Sequence, residues 1–400
     1  MNGNAHRDFL IIRIANINSF LFCLAYTLIF IREVLLERSN VDDFLGTGMV
    51  SRLSTVCHLL FWFVCIVIIL FFQKYTMREV LILGSLFFIF LISAVSSSSF
   101  FLLDLVFLLA CSKNLNFHSF IKNAIVIQSI IILVPVLLSL GGVIEDGTLV
   151  RTSSGVVRSS CGFSHPNTLG ILAFQWICEF IYLKRGMLKY AIVVIAVFAV
   201  YKITDSNTSI LMTLIVIGVN FIYEVIANHL LTRKQLRRIV KILLVGICVT
   251  VVLMIRYYWN HPERLSALTV VSRIDLAKKY FQAYGVNLFG HQIVSGYSVV
   301  IPNFSRGYYY LDNAFAWLII SYGIIAFLIF IIAYVKYFRK LLKKEEWNII
   351  LISFAYLIYM IVEHTPLMIV FNSMLIGFGM IIYDNFKIDS EKEAEQRNSK

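Results

Sequence analysis

Uninterrupted apolar stretches recur along the whole chain, separated by shorter polar segments. Most approach the length of about 17–25 residues that an α-helix needs to cross the hydrocarbon core of a bilayer. The pattern predicts about twelve such helices, at 13–31, 53–73, 80–96, 98–112, 123–142, 166–183, 190–205, 208–227, 241–258, 313–335, 348–363 and 366–384. The runs are continuous rather than alternating, which excludes a membrane β-barrel. The five prolines and twenty glycines fall mostly at run ends, where they leave helix interiors intact. The expected fold is therefore all-α: one polytopic membrane domain over 1–384, followed by a polar tail at 385–400.

Loop charges set the expected orientation. The segments 74–79, 113–122, 183–189, 232–241 and 336–347 are rich in Lys and Arg and alternate with loops poorer in both. The positive-inside rule makes the basic segments cytoplasmic, and an even number of spans then puts both termini in the cytoplasm. The first run follows Arg7 and Arg13 and has no small-residue cleavage site after it, so it is expected to persist as a membrane helix.

Composition narrows the functional classes. The chain is 59% hydrophobic and 14% charged, with a mean hydropathy of +0.82, whereas a soluble domain carries about a quarter charged residues. A soluble enzyme, a disordered chain and a nucleic-acid binder built on basic patches are excluded, although the formal charge is +12. The seven cysteines are scattered and show neither a disulfide framework nor a metal-ligand spacing.

Two long loops fall on the outer side, at 141–165 and 259–312, the second between the ninth and tenth spans. Within the second, Val271, Ile274, Ala277, Lys278, Phe281 and Tyr284 recur near a helical period and predict an amphipathic helix. The outer side favours arginine over lysine, and its arginines include Arg151, Arg158, Arg273 and Arg306. Guanidinium groups bind phosphate in a planar, two-point manner and stay charged. Arginines on two loops facing one cavity would suit a lipid pyrophosphate; the same residues could also snorkel to headgroups or pair with acids.

The most informative stretch is RSSCGFSHPNTLG, 158–170. Pro166 suits the first turn of a helix, where a missing N–H costs nothing, and Asn167 could satisfy orphan helix groups. His165 shows no comparable structural reason. At the membrane edge it could move a proton or hydrogen-bond a phosphate or a sugar hydroxyl.

This stretch, GFSHPNTLG, resembles the O-antigen polymerase/ligase superfamily, specifically its Wzy-type oligosaccharide repeat-unit polymerases. Three further stretches resemble the same family: LSALTVVSRIDLAKKYFQAYGVNLFG (265–290), YYYLDNAFAWLIISYGIIAF (308–327), and the polar pair Glu363 and Asn372 in EHTPLMIVFNSML. Near Arg273 the chain departs from the family form, with VSR where Ser-Gly-Arg is expected.

The resemblance implies a GT-C-like, metal-independent and cofactor-free membrane glycosyltransferase of the bacterial cytoplasmic membrane. It would move a growing glycan from undecaprenyl pyrophosphate onto a lipid-linked repeat unit, for capsule, exopolysaccharide or O-antigen synthesis. It also implies catalytic roles for Arg158, His165, Arg273 and Asp312. Arg158 and Arg273 would grip pyrophosphate, His165 would act as base or hydrogen-bonder, and Asp312 would position the acceptor or an arginine. Arg151 is the alternative to Arg158. Arg151, Asn167, Arg306, Tyr310, Asn313 and Glu363 are the expected substrate-binding residues. Tyr308, Tyr309 and Tyr310 could stack on sugars or form an ordinary aromatic belt. Expected partners are lipid-linked oligosaccharides, membrane lipid, a flippase and a chain-length regulator, and no nucleic acid. The competing readings are a ligase using the same donor and a lipid-linked oligosaccharide flippase. Among polar residues within the runs, Asp104 and Glu179 lie deepest and could serve as a proton relay or as neutral, paired structural groups.

Overall fold

The structure is a computed structural model that describes residues 17–150, 155–260 and 269–388. Its principal helices, in chain order and apart from the short turns Asp42–Leu45 and Asn228–Leu230, are α1 (Ile17–Leu36), α2 (Thr47–Phe72), α3 (Met77–Ser97), α4 (Phe101–Cys111), α5 (Phe117–Leu140), α6 (Pro166–Leu183), α7 (Leu188–Thr204), α8 (Asn207–Ala227), α9 (Arg233–Asn260), α10 (Thr269–Tyr284), α11 (Ala314–Trp317), α12 (Gly323–Lys344), α13 (Trp347–Val362) and α14 (Gly379–Ile382). Among the described residues the sheet content is two short antiparallel pairs, β1 (Leu149–Val150) with β2 (Val157–Arg158), and β3 (Gly296–Val299) with β4 (Gly307–Tyr309). Among the described residues, seven helical stretches are long and apolar enough to cross a membrane: α1, α2, α3, α5, α8, α9 up to Tyr258, and Ala314–Lys344. The chain is thus an all-α membrane protein.

It divides into two compact units. One holds the described residues of Met1–Val80, Phe107–Ile217 and Ser373–Lys400; the other holds those of Leu81–Val106 and Gly218–Asn372. The core of the first is aromatic: the ring of Phe120 meets Phe22 and Tyr26 edge-on, at 5.3 and 5.2 Å. This T-shaped arrangement places ring edges against ring faces. The second unit is centred on a broken helix. After α11 the chain passes through a π-helical turn, Leu318–Tyr322, and starts α12 at Gly323 with φ +91°.

That break is half of a clasp. Gly290 also has a left-handed backbone, φ +87°, and a Cβ there would overlap the carbonyl oxygen of Ser321; a Cβ at Gly323 would overlap that of Leu288. The His291 amide donates to the Ile320 carbonyl at 3.0 Å, and the Ile324 amide to that of Asn287 at 2.9 Å. Ser93 and Ser96 on α3 donate to the carbonyls of Tyr322 and Gly290, at 3.0 and 2.8 Å. Irregular backbone survives in an apolar setting only where its polar groups are supplied with partners from the surrounding protein. The Phe-Gly and Tyr-Gly dipeptides of the sequence are therefore two sides of one backbone contact.

Two expectations change in detail, and a third holds. The run at 366–384 is not one regular helix but a series of 3-10 turns, Thr365–Leu367, Ile369–Phe371 and Ser373–Phe378, ending in α14. Pro366 occupies the start of the first turn, and the Asn372 side chain donates to the Pro366 carbonyl at 3.0 Å; both favour local turns over a continuous ladder. The fourth run is only the 11 residues of α4, which rise about 16 Å, half the hydrocarbon thickness. The amphipathic helix within the second loop is present as α10. It buries Ala277, Tyr280 and Phe281, and also Lys278, whose Nζ sits 4.5 Å over the ring of Tyr257.

Candidate functional site

In the first unit, α6 begins at the Ser-His-Pro-Asn stretch. His165 is its N-cap in extended backbone, Pro166 fills the first turn, and the Asn167 amide donates to His165 Nδ1 at 3.0 Å. An imidazole that accepts at Nδ1 carries its proton on Nε2. Burial, then the Arg158 charge, pushes the ring down to about 4, so it is neutral near pH 7. Of the two roles expected for His165, this geometry suits the hydrogen-bond donor, through Nε2–H. The capping role is what the sequence reading missed, because histidine is not among the preferred cap residues.

Arg158, on β2, is fixed at two points. Its Nε donates to the Thr204 carbonyl at 2.9 Å, and an Nη to Asn167 Oδ1 at 2.7 Å. Ser206 donates to the same Asn167 oxygen at 3.2 Å. Asn167 thus links Arg158 to the α7–α8 turn as well as standing in the first turn of α6. Gly170 allows this approach, since a Cβ there would meet Ser209 Oγ at 2.6 Å and Ser206 Oγ at 2.9 Å. Nothing in the sequence around Ser206 signals this role.

Ser164, next to His165, lines a cleft of about 630 Å³. Its walls include Glu37, Asp42, Ser54, His58 and Trp62. Ser51, Ser54, Thr55, His58 and Trp62 lie on one face of α2 at helical spacing, a polar stripe in an otherwise apolar span. The rings of His58 and Trp62 stand 4.4 Å apart, and the Glu37 carboxylate accepts from Ser54 and pairs with Arg32 at 3.4 Å. Deeper in this unit, Glu179 is fully buried. Its Oε1 accepts from Gln128 at 2.7 Å, Gln175 at 3.3 Å and Ser373 at 2.6 Å, and Gln128 also donates to Tyr26 at 2.9 Å. Of the two roles left open for Glu179, this packing suits the structural one.

In the second unit, three separate segments meet at Arg273. Its Nε lies 3.2 Å from Asp312, one Nη donates to the Val362 carbonyl at 2.7 Å, and the other to Glu363 at 3.1 Å. A guanidinium has five N–H donors, so one remains on each terminal nitrogen. The Arg273 side chain is 28% exposed, enough to reach a ligand. Glu363 C-caps α13, and Asn313 N-caps α11 by accepting from the Ala316 amide at 2.8 Å while donating to the Ile361 carbonyl. Burial, then the Asp312 charge, pushes Glu363 up to about 7 against the pull of Arg273. Burial raises Asp312 as well, against the same arginine. The cluster is a carboxylate pair held by one cation.

The other expected residues are placed as follows. Tyr310 is half-buried, with its ring 4.9 Å from that of Tyr308. Arg306 is exposed in the β3–β4 turn and has no ion pair among the described residues. Arg151 lies outside the described residues. Compared with protein-family models, curated proteins and solved structures, the chain matches none.

Proposed function

We propose that this chain is a polysaccharide polymerase. It transfers a growing glycan from undecaprenyl pyrophosphate to a hydroxyl of a lipid-linked repeat unit, at the outer face of the bacterial cytoplasmic membrane. The observation that carries the reading is the Arg273–Asp312–Glu363 cluster. Three stretches that separately resemble the polymerase family contribute one side chain each to a single ion-paired group.

The chemistry follows from that group. The acceptor oxygen forms a bond to the anomeric carbon, the bond from that carbon to the pyrophosphate oxygen breaks, and its electron pair leaves with the pyrophosphate. The acceptor proton passes to the Asp312–Glu363 pair, acting as general base. Arg273 orders both carboxylates and turns its two remaining N–H groups to the phosphate. Arg158, Asn167 and His165 enter the same reaction through the family resemblance, His165 as an Nε2–H donor. The cleft beside Ser164 suits a sugar, with hydroxyls, carboxylates and a ring face on its walls. Tyr310, Asn313 and Arg306 are substrate contacts in this reading. A GT-C-like bundle of twelve spans with cytoplasmic termini completes it, and that count needs both the short α4 and the irregular 366–384 stretch as crossings.

The test is product analysis after deletion of the gene and complementation. A single lipid-linked repeat unit without polymer is expected in the deletion strain, restored to polymer by the wild-type chain and not by Arg273→Lys. Normal polymer not yet attached to its final acceptor would instead indicate the ligase, and precursor held on the cytoplasmic leaflet would indicate the flippase.

A further inference from the structure

A second cavity, in the unit that holds Arg273, has a different chemistry. It is a groove of about 710 Å³ lined by α9 and α12. One end carries four cations, Arg237, Lys241, Arg339 and Lys343, and no carboxylate lines it. The rest is apolar, with Leu244, Val245 and Cys248 on α9 and Val335, Phe338 and Leu342 on α12. On each helix these positions recur three and four apart, so a basic mouth leads onto a continuous apolar floor.

Three of the four cations are not spent on the protein. Arg237 pairs with Glu345 at 2.5 Å, yet its Nε is buried without a hydrogen-bond partner. Lys241, Arg339 and Lys343 have no ion pair among the described residues. Three unpaired like charges around one opening, beside the Arg237–Glu345 pair, repel one another until an anion sits among them. Of the seven long apolar helices, α9 is the most open, with 11% of its apolar window buried, so the groove lies on a face that lipid must cover.

We propose that this groove is a binding site for one anionic phospholipid, its phosphate head among the four cations and its acyl chains along the apolar floor. A free phosphate would satisfy the mouth but not the floor, and a zwitterionic lipid would satisfy the floor while bringing its own cation to the mouth. The site is independent of the polymerase reading.

The experiment uses the full chain in detergent micelles, with native mass spectrometry and thermal unfolding after addition of phosphatidylglycerol, phosphatidylcholine, inorganic phosphate or undecaprenyl phosphate. One phosphatidylglycerol is expected to be retained, with an upward shift in Tm, while phosphatidylcholine and inorganic phosphate give neither. Replacing one cation should weaken binding about fivefold, and the triple variant Lys241→Gln, Arg339→Gln, Lys343→Gln about a hundredfold. These three side chains are exposed or unpaired, and the wild-type lipid preference alone provides a readout if the variant fails to fold. Equal retention of phosphatidylcholine, unchanged binding by a folded triple variant, or preference for undecaprenyl phosphate would overturn the proposal.

Discussion

The Asn167 amide donates to His165 Nδ1 at 3.0 Å, so one imidazole both caps α6 and is fixed in the tautomer that presents Nε2–H. Capping and ligand contact can be separated by substitution. Asn is among the best N-cap residues, whereas Ala removes the acceptor at a cost of about 1 kcal/mol. His165→Asn is expected to keep the wild-type Tm and lose polymer synthesis; His165→Ala should lose both. Full polymer from a stably folded His165→Asn protein would confine His165 to the cap.

The same ring gives a stability prediction with a defined sign. Its folded value, about 4, lies below the ordinary histidine value of 6.5. The unfolded chain therefore takes up a proton first as pH falls, and stability is lost between about pH 6.5 and 4. Unfolding midpoints measured across that window should fall less steeply in His165→Asn than in the wild type.

The carboxylate pair predicts the opposite kind of profile, in activity. Glu363 sits near 7, and a base must be ionised to accept a proton. Transfer measured with purified lipid-linked repeats should rise with pH through about 7 and then level. Glu363→Gln should flatten that limb and lower kcat. Arg273→Lys keeps the charge but cannot serve Asp312, Glu363 and the Val362 carbonyl from one plane; a loss of about a hundredfold is expected.

Sugar binding in the cleft beside Ser164 should show as affinity rather than rate. His58→Ala and Trp62→Leu remove ring surface from its wall. Each is expected to raise KM for the lipid-linked acceptor several-fold with kcat little changed. An unaltered KM would take the cleft out of the reading.

The clasp yields a folding prediction. Gly290→Ala and Gly323→Ala each place a methyl group on a carbonyl and impose a strained φ, so both should cost several kcal/mol or prevent folding. Gly285→Ala is the control: its φ is +65° but nothing lies within 4 Å of its Cβ, and only the smaller conformational penalty is expected. Detergent-solubilised yield and Tm would separate them.

Much of the fold was legible because hydrophobic run length is a direct consequence of bilayer thickness. The predicted runs near 53–73, 80–96 and 123–142 are α2, α3 and α5, with ends moved by a few residues. The amphipathic α10 followed from period alone. What periodicity could not show was irregular backbone: 366–384 is as apolar as a span, and only Pro366 and Asn372 hinted at turns. For the site, the family resemblance pointed to Arg273, Asp312 and Glu363, whose contact is long-range and has no local signature. The carbonyls of Thr204 and Val362, which fix the two arginines, are backbone groups and cannot be read from side-chain identity at all.

Glu179 and its partners bear on how the chain is made. Alone, α6 is a poor candidate for release into lipid, since it carries an acid and an amide among its apolar residues, and ionisable groups in a membrane helix are costly to insert without partners. Tyr26 and Gln128 precede it in sequence, so two of its hydrogen-bonding neighbours leave the ribosome first and are ready when α6 emerges. Ser373 comes last. The bundle is therefore ordered for vectorial synthesis: polar groups laid down early receive the costly helix, and a hydroxyl made much later finishes the network.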